Sequence, residues 1–94
     1  MDRKAYIDKL AAQLKQWDAE IEKMEAKVQE KKADTRILYN KKIEELRNKK
    51  EEAQNKIEEI KEANDEAWEE LKSGTERAFD NIKNSFHSVM SKFK

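Results

Sequence analysis

The 94-residue chain contains no cysteine, no proline and a single glycine, Gly74. Without cysteine there is no disulfide, no thiolate metal site and no thiol nucleophile, which accords with a reducing compartment. With no proline and one glycine, the residues that most often punctuate turns are missing, so long helices are the first expectation. Long apolar runs are missing as well. No stretch approaches the roughly 20 residues that cross a bilayer, and the opening Asp2-Arg3-Lys4-Ala5-Tyr6 is charged rather than a signal core. Net charge is also lacking: 21 Lys and Arg balance 21 Asp and Glu. A neutral chain has no field to steer it onto nucleic acid, and the basic runs Lys41-Lys42 and Arg47-Asn48-Lys49-Lys50 are interleaved with Glu44, Glu45, Glu51 and Glu52.

What the chain does have is charge and period. It is 45% charged and 36% apolar, the signature of coiled coils, and its strict apolar spacing argues against a disordered chain of the same hydropathy. Ile7, Leu10, Leu14, Trp17, Ile21, Met24 and Val28 alternate steps of three and four, a heptad seam with a left-handed supercoil. The phase changes between Val28 and Ile43, where the spacing fits a stutter or a turn near residues 31–39. From Ile43 the seam resumes through Leu46, Lys50, Ala53, Ile57 and Ile60 to Asn64 and Ala67. Run backwards, this half complements the first, with Trp17 opposite Ala53 and Leu10 opposite Ile60, which is how an antiparallel layer is filled.

That pairing is compatible with a hairpin or with a two-fold dimer of unbroken helices. The missing breaker residues favour the dimer, because a helix over about residues 3–72 would be roughly 105 Å long and could not bury its own seam. The expected organisation is therefore a coiled-coil helix over 1–72 and an amphipathic helix over 73–94. Ser73 and Glu76 have capping-box spacing around Gly74. The apolar phase nevertheless runs through Gly74, so a tolerated glycine or mild hinge is preferred there.

A second period occupies the carboxy-terminal third. Ile60, Leu71, Ile82 and Phe93 recur at steps of eleven, as do Trp68, Phe79 and Met90, and eleven residues close three helical turns. With Phe86 and Val89 they write one apolar stripe: Trp68, Leu71, Phe79, Ile82, Phe86, Val89, Met90 and Phe93. This end is mildly cationic, and such a stripe suits a partner helix or an anionic membrane surface.

Catalytic chemistry is hard to place. His87 is the only histidine, and its helical neighbours Lys83, Asn84, Met90 and Ser91 include no second ligand. The acidic pairs, such as Glu58-Glu59 and Glu69-Glu70, diverge by about 100° on a helix, while Glu58 with Glu62 and Glu66 with Glu70 stack on one face. There is no Gly-rich phosphate loop and no nucleophile beside a base. No enzymatic activity, cofactor or metal centre is expected.

In its opening Asp2-Arg3-Lys4-Ala5-Tyr6, in Leu14-Lys15-Gln16-Trp17-Asp18-Ala19-Glu20-Ile21, in Ile43-Glu44-Glu45-Leu46-Arg47 and in Glu66-Ala67-Trp68-Glu69-Glu70-Leu71-Lys72-Ser73-Gly74, the chain resembles short bacterial all-helical coiled-coil proteins of a cyanobacterial stress-response type. The resemblance implies a bacterial, cytoplasmic, non-enzymatic protein. The sequence thus reads as an all-α, oligomeric, long antiparallel coiled coil with a carboxy-terminal amphipathic helix. Its seam for a homodimer or higher oligomer is Ile7, Leu10, Leu14, Trp17, Ile21, Met24, Val28, Ile43, Leu46, Ala53, Ile57 and Ile60. The function expected is a self-associating scaffold or stress-related assembly factor. The alternative is a peripheral binder of an extended surface, either anionic membrane or, through stacked carboxylates, mineral or metal ions.

Overall fold

The computed structural model describes residues 2–92, folded as three helices: α1 (Arg3–Val28), α2 (Ala33–Glu62) and α3 (Asp65–Ser91). Asp2 starts α1, its carboxylate accepting from the Ala5 N–H at 2.7 Å. The end of α1 comes where the heptad seam ends. After Val28 the backbone tightens, with Glu30 N–H bonded to Lys27 C=O and Lys31 N–H to Val28 C=O, and Lys32 is extended. No described residue has positive φ, so this turn needs neither glycine nor proline.

A second break falls at Ala63 and Asn64, both extended. The Asn64 side chain accepts from the N–H groups of Glu66 and Ala67, at 3.1 and 2.8 Å, and caps α3. Asp65 and Glu66 fill the first turn of α3, where negative charge complements the helix dipole. The unbroken helix expected over 1–72 is thus two helices and the start of a third, and residue 73 is not a boundary. α3 runs through Gly74 without interruption. Seam register hid the second break, because Asn64 occupies a seam position in the heptad count while acting as a cap.

Cross-helix bonds give the directions. Asp18 pairs with Lys50 and Glu25 with Arg47, while Lys49 Nζ donates to Ser85 Oγ at 2.6 Å and Tyr39 Oη to Lys92 C=O at 2.8 Å. In each case one partner number rises as the other falls, so α2 is antiparallel to both α1 and α3, and α1 and α3 are parallel. The extents are 51 × 19 × 17 Å. Three helices side by side have replaced the expected rod of roughly 105 Å.

The core lies along the axis of the three helices. Ile21 and Val28 from α1, Leu46, Ala53, Ile57 and Ile60 from α2, and Thr75 and Ile82 from α3 are closed to solvent. The Thr75 hydroxyl is satisfied by donating to Leu71 C=O at 2.9 Å. Ile7, Tyr39, Ala63 and Leu71 pack on this core from its edges. The seam that a long helix would have needed a second chain to cover is covered here by α2 and α3 of the same chain.

Candidate interaction face

α2 is the shared partner: α1 and α3 each pack closely along it, whereas the backbones of α1 and α3 stay farther apart. Large rings span the gap between them. Tyr6 meets Trp68 with centroids 6.1 Å apart, Trp17 meets Phe79 at 5.3 Å, and Trp17 stacks on Phe86 at 5.6 Å with 15° between the planes. A ring is wider than an isoleucine, so a layer of ring on ring props two helices apart where aliphatic layers draw them together. The consequence is a groove down the α1–α3 side of the bundle.

The lower half of the groove encloses about 570 Å³ over a floor of Trp17 and Phe86. Gln13, Gln16 and Glu20 form its α1 wall, and Lys83, Asn84, His87 and Met90 its α3 wall. The upper half is smaller, about 280 Å³, with Lys9 on one side and Glu76 and Asp80 on the other. In a chain that is 45% charged, the centre of the lower half is lined by the amides of Gln13, Gln16 and Asn84 and the imidazole of His87, with Met90 beside them 40% exposed. Charges sit at its rims. Lys9, Glu20, Asp80 and Lys83 make no ion pair with any described residue.

Above the groove a cation–aromatic cluster closes the bundle. Lys72 Nζ lies 4.9 Å from the Trp68 ring centroid and 5.4 Å from that of Tyr6, and the Arg3 guanidinium lies 5.8 Å from Trp68. Such contacts favour a cation held over a ring face. The Tyr6 hydroxyl is buried and has no partner within full hydrogen-bond geometry, although the Glu76 carboxylate is close enough to act on it. Burial, and after it the negative charge of Glu76, pushes its pKa above the usual tyrosine value.

The residues expected to serve a partner are placed as follows. All twelve expected seam residues pack within one chain: Leu10, Leu14, Trp17, Ile21, Met24, Val28, Ile43, Leu46, Ala53, Ile57 and Ile60 are buried, and Ile7 is half-buried. The eleven-residue stripe is equally internal. Trp68, Phe79, Ile82, Phe86 and Val89 are buried, Leu71 is half-buried, and only Met90 is exposed; Phe93 lies outside the described residues. The stripe is therefore the third face of the core. His87 is on the groove wall. Among the described residues no three His, Asp or Glu side chains converge as a metal-holding group, so the stacked carboxylates remain spread along their helix faces. No helix among them is long and apolar enough to cross a membrane.

Sequence reasoning missed the groove residues Gln13, Gln16 and Asn84. A signal existed, since uncharged amides are scarce among the outward positions of α1 and α3, but it becomes a patch only when those helices lie side by side. No protein-family model, no curated protein and no solved structure matches the chain. The likeness to stress-response coiled-coil proteins rests on its quoted motifs alone.

Proposed function

We propose that this protein is a non-enzymatic interaction module, a small helical scaffold element that docks through its α1–α3 face. The observation that carries this reading is the charge-poor centre of that face in a charge-rich chain. Interfaces are set apart by depletion of charge at the core of the patch, with aromatic residues and methionine enriched and charges left at the rim. Gln13, Gln16, Asn84, His87 and Met90 over Trp17 and Phe86 have that anatomy, and Lys9, Glu20, Asp80 and Lys83 supply the rim.

The α1–α2 seam, with heptad spacing and antiparallel chain directions, is of coiled-coil type and serves here to hold the face rigid. A cytoplasmic setting agrees with the absence of cysteine. Binding of membrane by the α3 stripe would require α3 to leave the bundle, uncovering the seam of α1 and α2 together with its own aromatic residues. Nothing in the closed arrangement favours that step, so the docking face is the stronger reading.

A photo-cross-linking amino acid at Gln16 or Asn84, compared with the same group at Asn48 or Asn55 on the exposed back of α2, tests the face inside intact cells. Covalent adducts from the two groove positions and not from the two control positions are expected. Adducts of equal yield at all four sites, or at none, would remove the assignment of the face.

A further inference from the structure

We infer that the occupant of this face is a second copy of the chain, joined in a parallel two-fold dimer. The inference rests on reading the α1–α3 face as a docking surface, and it is carried by the charge pattern on the rims. Lys9 on α1 lies across the groove from Glu76 and Asp80 on α3, and further down Glu20 on α1 lies across from Lys83 on α3. These opposite charges share a groove but do not meet within the chain.

A two-fold axis along the bundle sets α1 of each copy against α3 of the other, running the same way. Lys9 then faces Glu76 and Asp80 of the second copy, and Glu20 faces its Lys83. Isologous symmetry makes each contact twice. The same operation lays the uncharged centre on itself, amides and Met90 against amides and Met90. An antiparallel two-fold would instead set α1 against α1 and α3 against α3 of the second copy, so that Glu20 no longer faces Lys83 and Lys9 no longer faces Glu76 and Asp80. Opposed like charges steer against an arrangement and opposite charges steer towards it.

Extents of 51 × 19 Å bound the whole side of the bundle at about 970 Å², so an interface of ordinary size, roughly 800 Å² per partner, takes in most of that side. Among the described residues Met90 is the one large apolar side chain exposed on it, so the association is reversible and depends on concentration.

The test uses the intact chain, with mass measured by light scattering across a concentration series. The wild type should rise from 11.2 kDa towards twice that mass. Glu20→Lys and Lys83→Glu should each weaken self-association by at least about tenfold, with helicity and melting unchanged. Mixed in equal amounts, the two variants should restore the dimer. The first variant carries lysine at both positions and the second carries glutamate at both, so a mixed pair is complementary at each of its two contacts. A contact made only within one chain would gain nothing from mixing. A wild type that stays at 11.2 kDa up to about millimolar concentration, where even weak contacts register, would overturn the second copy as occupant; so would a dimer indifferent to the swaps. If Gln16 adducts to a heavier protein persisted in that event, the docking face would stand without self-association. Loss of both would remove the two readings together.

Discussion

Where α2 hands over to α3, the Arg3 side chain of α1 reaches across and donates to Ala63 C=O at 2.6 Å, to Ile60 C=O at 3.4 Å and to Asp65 Oδ1 at 2.9 Å. It thereby satisfies carbonyls that every helix leaves orphaned at its carboxy terminus, and Asn64 caps the next helix immediately afterwards. At the opposite end, where α1 turns into α2, no side chain caps α2 at Lys32. Ile37 and Leu38 stand 71% and 55% exposed there. Proximity to the Lys42 ammonium holds the Lys92 pKa below the usual lysine value. One end is closed by a fork that ties three helices; at the other the Tyr39 hydroxyl ties α2 to α3 through Lys92 C=O, and the α1–α2 turn itself has no side-chain cap.

The largest effect expected is at Arg3. Arg3→Ala should cost about 1–2 kcal/mol in urea unfolding, because it takes from the half-buried Ala63 carbonyl the donor it has here and breaks the pair with Asp65. Arg3→Lys should recover only part of that loss, as a point charge cannot serve carbonyls and carboxylate at once. At the other end Arg36→Ala should fall within about 0.5 kcal/mol of wild type. Equal losses at Arg3 and Arg36 would dissolve the distinction between the ends.

The caps probe the same distinction with a smaller effect. Asn64→Ala should lower stability by about 1 kcal/mol, and Lys32→Asp should raise it by about 0.5–1 kcal/mol by supplying the missing cap and a negative charge at the start of α2. Opposite shifts in thermal melting of the two variants are the expected readout. A melting temperature unmoved by either substitution would mean that the two turns are fixed by forces other than capping.

Tyr6 gives the smallest effect at neutral pH and a distinct one in alkali. Its raised pKa means that the folded chain keeps the phenolic proton where the unfolded chain has lost it. The stability this contributes is fully present below the ordinary value of 10.0 and is lost as pH rises through the folded value. Tyr6→Phe removes an unpartnered buried hydroxyl, so it should match or exceed wild-type stability by up to about 1 kcal/mol at neutral pH. Its unfolding free energy should also fall less steeply than that of wild type once the pH passes 10.0. Parallel alkaline profiles for the two proteins would show that Tyr6 is not the titrating group.

Much of this architecture is written in the residues. The heptad from Ile7 to Val28 and its return from Ile43 to Ile60 mark two helical faces that belong together, because large side chains oppose small ones along them. The eleven-residue stripe marks a third face. What covers each face is not written, since burial against the same chain, against another chain or against lipid demands the same period. The turn at residues 29–32 is written only as a change of seam phase, which a stutter would write as well: its residues keep ordinary negative φ, so no glycine, asparagine or proline is required to announce it. The groove depends on which helices become neighbours. Gln16 and Asn84 are 68 positions apart in sequence, and only the parallel placement of α1 and α3 puts them on one wall-to-wall surface.

The position of α2 between its two neighbours also bears on how the chain acquires its structure. Each connection is only a few residues long, so bringing α1 onto α2, or α2 onto α3, closes a small loop at little entropic cost, and predominantly local contacts place the chain among fast folders. Synthesis delivers α1 and α2 first. Their hairpin is then the template on which α3 docks, and the ring-on-ring layer between α1 and α3, which no single hairpin contains, is the last part to assemble.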